Sequence, residues 1–141
     1  MIEVVNRQRK VSVDLDRWQL FTDRALKSTA AEPSNVTIAF VSDRRMRELN
    51  RLWRGKTGTT DVLSFPAGED EFANPDGSNL GDVVISVEQA TRQAETHGLT
   101  LDEEIAQLIL HGLLHLCGYD HETDDGEMNR VELKLRKKLG I

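Results

Sequence analysis

Asp82-Val83-Val84-Ile85-Ser86-Val87-Glu88-Gln89 opens the stretch that decides the fold, and Thr100-Leu101-Asp102-Glu103 continues it. Three β-branched residues in a row end on a serine, with a glutamine three positions later. That pattern predicts a short strand passing through a capping box into a helix that stops at Gly98. Thr100 and Glu103 form a second box, and the apolar run behind it predicts a long helix to about Cys117, ended by Gly118. Working outward, Ile2 to Asn6 reads as a strand. Leu15, Trp18, Phe21, Ala25 and Leu26 give a helix over about 15–27, capped by Asp14 or Asp16. Residues 32–35 read as a loop and Val36 to Val41 as a strand. Ser42 caps a helix striped by Met46, Leu49 and Trp53. Asp61 to Phe65 reads as a strand ended by Pro66, followed by a polar loop over 68–79. A last helix, from about Thr123 to Leu139, lines up Met128, Val131, Leu135 and Leu139. The order β-α-β-α-β-β-α-α-α predicts an α+β protein: four strands in a small mixed sheet, packed with about five helices, with residues 1–141 forming one domain.

Length and composition agree. At 141 residues the chain can bury one core without disulfides, and its single cysteine, Cys117, leaves no disulfide partner. Eighteen basic against 24 acidic side chains give a net charge of -6, which argues against an indiscriminate nucleic-acid coat or a membrane-surface binder. There is no apolar run of membrane-spanning length and no signal-like N-terminus, so a soluble cytoplasmic protein is expected.

The chemistry is concentrated in His111-Gly112-Leu113-Leu114-His115-Leu116-Cys117-Gly118-Tyr119-Asp120-His121. His111 and His115 stand four apart on a helix, so their rings leave one face and can grip one ion. Gly118 can take a left-handed backbone, and the chain then turns so that His121 supplies a third nitrogen. Three imidazoles suit zinc, one ion per chain, though nickel or cobalt would also fit. His97, at a helix end, reads as a cap, and Cys117 as packing. The spacing equals that of the zinc-protease pattern H-E-x-x-H-x-x-G-x-x-H, except that Gly112 takes the place of the glutamate base. A peptide amine leaves poorly without that base. A phosphodiester asks instead for positive charge on its non-bridging oxygens, so the substitution points to phosphodiesters.

An arginine is available for that task. Between Asp43 and Lys56 lie six basic side chains (Arg44, Arg45, Arg47, Arg51, Arg54, Lys56) against two acidic ones. With Trp53 they could track a nucleic-acid backbone; the plainer reading is a solvated helix face with Trp53 in the core. Arg54 differs from the rest because it sits at the helix exit, beside Gly55 and the turn leading to Asp61.

The eleven-residue histidine motif, Trp53-Arg54-Gly55-Lys56, Thr60-Asp61-Val62-Leu63-Ser64-Phe65-Pro66 and Gly81-Asp82-Val83-Val84-Ile85-Ser86 occur in that family's order, and together they resemble the YbeY family of bacterial endoribonucleases. The resemblance implies a zinc-dependent, single-strand-specific RNase acting in 16S ribosomal RNA 3′-end maturation and ribosome quality control. Ribosomal RNA would then be its substrate, and ribosomal or ribosome-assembly proteins its partners. It also implies a four-stranded mixed sheet with the metal cleft at its surface. His111, His115 and His121 match the family's metal ligands, and Arg54 matches an arginine beside the metal. Roles for Asp61 and Asp82 stay open. Two rival readings stand beside this one: an RNA-binding assembly factor with a structural metal, and a metal-dependent hydrolase of another bond such as a peptide. The second would need a carboxylate such as Asp120 or Glu122 near the ion. The net charge is also uneven, since residues 120–127 hold five acids and no base.

Overall fold

The computed structural model of the chain describes residues 1–29, 35–68, 74, 78–120 and 124–141. Along them run β1 (Ile2–Asn6), α1 (Leu15–Ser28), β2 (Asn35–Val41), α2 (Asp43–Arg54) and β3 (Val62–Pro66). There follow β4 (Asn79–Ser86), α3 (Val87–His97), α4 (Leu101–Leu116) and α5 (Glu127–Leu139). The four strands make one mixed sheet in the order β1-β2-β4-β3, as the α+β reading expected. β1, β2 and β4 run parallel, with Val4 beside Ile38 and Ile38 beside Val83. β3 is antiparallel to β4 and lies at the sheet's edge.

Alternation along the strands sorts the two faces. Val36, Ile38, Phe40, Val83 and Ile85 join the larger core, with Trp18 and Phe21 of α1 and the apolar side of α4. Val41, Leu63 and Val84 face the other way, under Met46 of α2, with Ala39, Leu49 and Phe65 packed around them. α4 touches α1, α3, α5, β3 and β4, which is why it is apolar on almost every side.

Some details depart from the periodicity. β4 begins three residues before Asp82, because pairing with β2 extends it. Pro66 belongs to β3, which tolerates a missing amide hydrogen at the edge of the sheet. The Ser86 hydroxyl accepts from the Gln89 amide (3.3 Å), but the Gln89 side chain goes to Arg92, so the box is half closed. α5 starts at Glu127 rather than near 123, and the Asp124 carboxylate takes the amide hydrogens of Gly126 (2.8 Å) and Met128 (2.9 Å) just before it. Of the loop expected over 32–35, residues 32–34 lie outside the described residues and Asn35 begins β2; most of the loop expected over 68–79 also lies outside them.

One buried carboxylate ties the elements that frame the site. Asp43, the first residue of α2, accepts from Ser86 Oγ (2.6 Å), Thr59 Oγ1 (3.2 Å) and the Arg92 guanidinium (2.5 Å). Burial pushes its carboxyl up. The hydrogen bonds from Ser86, Arg92 and Thr59 and the Arg92 charge outweigh that, holding it below the usual aspartate range. α2, α3 and the turn before β3 are thereby pinned together.

Candidate active site

His111 and His115 leave α4 from one side, ring centroids 4.7 Å apart, and their Nε2 atoms approach to 3.1 Å. The opposite nitrogens are both engaged. His115 Nδ1 lies 3.0 Å from the Tyr119 carbonyl oxygen, which can only accept, so the proton sits on Nδ1 and Nε2 carries the lone pair. His111 Nδ1 lies 2.6 Å from Glu132 Oε1 on α5, which fixes that ring in the same sense. Two imidazole lone pairs therefore converge on one point, each set by a partner on its far nitrogen, as the ligands of a divalent ion are. The donor set fits zinc. Among the described residues no group of three or more His, Cys, Asp or Glu side chains is placed to hold an ion. His121, the expected third ligand, lies outside the described residues, as does Glu122.

The glycine behind the second histidine does what its position suggested. Gly118 takes φ +99°, its amide donates to the His115 carbonyl (3.0 Å), and the Tyr119 amide donates to that of Leu114 (3.1 Å). The turn that ends α4 thus also delivers the Tyr119 carbonyl to His115. Gly112 has a different reason to be glycine. A Cβ there would lie 2.6 Å from Val83 Cγ1, because α4 presses directly onto β4 at this residue. The position that carries the base in the protease pattern faces the sheet, where even a Cβ crowds Val83.

Glu132 went unnoticed by motif reading. It is buried at 7% exposure, and its second oxygen accepts from Arg136 (2.9 Å). Burial raises its carboxyl. The hydrogen bond to His111 and the Arg136 charge prevail and hold it below the usual glutamate range. The signal was there: Glu132 stands on the apolar stripe Met128–Leu135–Leu139, where a carboxylate is out of place without a partner. Arg136 is accordingly more than a helix-end cation.

The histidine pair opens into a cleft of about 540 Å³ lined also by Arg54, Asp61, Ser64 and Tyr119. Arg54 is the last residue of α2, on the opposite face of the sheet, and Gly55 ends the helix there with φ +64°; Arg54 lines the same cleft as the histidines and residues 62–64 and 66 of the edge strand β3. Asp61 forms part of the wall. Its Oδ1 accepts from the Val62 amide (2.8 Å) and Thr60 Oγ1 (3.3 Å), and the Gln93 amide reaches its Oδ2 (3.0 Å). Asp120 also reaches the wall, whereas Asp82 is exposed on β4 and takes no part in it. His97 ends α3 with Nδ1 3.0 Å from the buried Glu104 Oε2, so it links α3 to α4 as well as closing a helix. Cys117 is half-buried, and desolvation raises its thiol despite a hydrogen bond from Thr29. Trp53, read from periodicity as core, is 69% exposed.

Three comparisons bear on this site. Residues 3–140 match the family model described as Endoribonuclease YbeY. A protein named Endoribonuclease YbeY from Syntrophus aciditrophicus is 34% identical over 138 residues, covering 98% of this chain and 86% of that protein. Another of that name, from Caldanaerobacter subterraneus, is 38% identical over 152 residues, covering 96% and 95%. The solution structure of TM1509 from Thermotoga maritima superposes with a TM-score of 0.66 at 27% identity, over 99% of this chain and 89% of that one.

Proposed function

The chain belongs to the YbeY endoribonuclease family, and from that premise we propose that it is a zinc-dependent nuclease of single-stranded RNA. Its task in this reading is 16S ribosomal RNA 3′-end maturation and ribosome quality control, in the cytoplasm, beside ribosomal or ribosome-assembly proteins. One observation supports it above the others: Arg54 and two imidazoles with inward lone pairs meet in one cleft, though they come from opposite faces of the sheet.

In this reading His111, His115 and His121 hold the ion, which supplies Lewis acidity at the scissile phosphate. Glu132 and the Tyr119 carbonyl keep the first two rings in the ligating tautomer. Arg54 donates to the non-bridging oxygens as negative charge builds on them. Arg54 is exposed to solvent in the cleft it shares with the histidines, where a substrate can reach it. Gly112 removes the side-chain base that a leaving amine would need, and a phosphodiester does not need it.

The test is cleavage of single-stranded and duplex RNA, including precursor ribosomal RNA, together with elemental analysis of the native protein. Stripping metal with a chelator, or His115→Ala, is expected to abolish cleavage while the circular dichroism spectrum stays that of the folded protein. Cleavage that survives both treatments in contaminant-free protein overturns the reading. RNA binding without any cleavage would make the protein an assembly factor. Cleavage of a labelled peptide instead of RNA would assign the cleft's carboxylates, Asp61 and Asp120, to a hydrolase of another bond.

A further inference from the structure

We propose that Trp53 is a stacking platform for an unpaired base of the RNA strand, and that the exposed arginines of α2, which end at its chain neighbour Arg54, hold that strand's backbone. The inference rests on the endoribonuclease reading and adds to it a binding site for the nucleotides beside the cut.

Trp53 occupies an unusual place on its helix. It follows Met46, Leu49 and Asn50 at three- and four-residue spacing, which turns it toward the sheet. Met46 is 0% exposed and Asn50 4%, yet Trp53 is 69% exposed. α2 ends one residue later, at Arg54. There the indole meets Phe65 of the edge strand edge-to-face, at 5.9 Å and 72°. That contact braces the ring while leaving much of its surface open to solvent, so little freedom remains to be lost when a flat ligand lies on it. Its chain neighbour Arg54 and Phe65's neighbours Ser64 and Pro66 line the histidine cleft. A strand leaving the cleft over the edge of β3 therefore comes upon the indole.

Charge selects the ligand. Arg44, Arg47, Arg51 and Arg54 recur at three- and four-residue intervals and form one exposed stripe along the side of α2 turned from the sheet, ending at Trp53's chain neighbour Arg54. Among the described residues none of the four has an ion-pair partner, whereas Arg45, off the stripe, pairs with Glu48. Across the histidine turn, Asp120, Asp124, Asp125 and Glu127 present the opposite sign. A polyanion is drawn to the α2 side and turned away from the other. Duplex bases are stacked on one another and cannot offer a face to an indole, so this surface suits single strands.

Tryptophan fluorescence isolates the residue, because the only other tryptophan, Trp18, is 1% exposed. In the non-cleaving His115→Ala protein, a short unpaired oligoribonucleotide is expected to quench the exposed emission. A blunt duplex, or an abasic strand of the same length, should leave it unchanged. Trp53→Ala should weaken binding of the unpaired strand roughly tenfold, the scale of one lost base stack, and Trp53→Phe should restore most of it. Arg51→Glu, which leaves the indole alone, should weaken unpaired and abasic strands alike. Equal quenching by the abasic strand, or unchanged affinity in a folded Trp53→Ala protein, overturns the proposal. So does burial of Trp53 that grows with protein concentration in the absence of RNA, because a second copy would then be its occupant. If the wild type fails to cut RNA, the nuclease reading falls while the fluorescence titration still decides this one. If it cuts RNA but ignores the loss of Trp53, only this inference falls.

Discussion

Gly112 shows at the scale of one residue how packing sets chemistry. The helix that carries the histidines can approach β4 because position 112 has no side chain, and Val83 fills the space a Cβ would need. Gly112→Ala should therefore cost about 1–3 kcal/mol, the usual price of overpacking, read as a lowered urea midpoint. Gly112→Glu should not fold, and so should not become a peptidase. Soluble Gly112→Glu protein with wild-type stability would show that the helix can lift off the sheet. Glu132 makes the complementary case, a carboxylate acting on His111 from a different helix. Glu132→Ala is expected to weaken zinc binding about 10–100-fold, the range for loss of a carboxylate behind a ligating histidine, with Glu132→Gln intermediate. Competition with a chromophoric chelator measures this directly. Equal affinity in all three proteins would reduce Glu132 to a packing residue.

At the scale of elements, the position of Arg54 depends on how α2 is anchored at its other end. Asp43 binds that end to Ser86, Arg92 and Thr59, and its carboxyl is held below its ordinary value. Asp43→Ala should cost about 1–3 kcal/mol at neutral pH, since it leaves buried donors unpaired. A depressed carboxyl stabilises the fold fully above its unfolded pKa, near 4, and loses that contribution as pH falls through the folded value. The gap in urea midpoint between wild type and Asp43→Asn should thus hold from neutral pH down to about 4 and close below it. A gap independent of acid would mean the charge is irrelevant. Such ties explain which parts were legible in the sequence. Strand and helix identities, the caps at Ser42 and Thr100 and the His111/His115 pair follow from local spacing, and they emerged as read. The place of Arg54 at a helix exit was also legible, because Gly55 marks that exit. Glu132 reaching His111 across 21 residues, and Trp53 left exposed against Phe65, depend on where helices pack and stop against the sheet. Periodicity says which face a side chain takes; it is silent on whether anything lies opposite.

For the whole molecule the question is how a chain of net charge -6 handles a polyanion. Averaged over the surface, that charge repels RNA, but the surface is divided. Five acids within 120–127 account for most of the excess, while the exposed side of α2 carries the arginine stripe, with Lys56 just beyond the helix. The screening length at physiological salt is about 8 Å, so a phosphate lying on α2 responds to the cations beneath it far more than to a distant acidic block. Binding should then behave as a local counterion exchange. With four stripe arginines engaged, the logarithm of the association constant for single-stranded RNA should fall against the logarithm of salt with a slope of about -3. Arg44→Glu together with Arg47→Glu should reduce that slope to about -1.4 or less, since two contacts vanish and two repulsions appear. Lys134→Glu with Lys138→Glu changes the net charge equally but lies on α5, away from the cleft, and should leave the slope where it was. Anisotropy titrations of the His115→Ala protein over a range of salt would separate these outcomes. If both double variants shift the slope alike, RNA senses only the total charge, and the stripe has no special part in holding it.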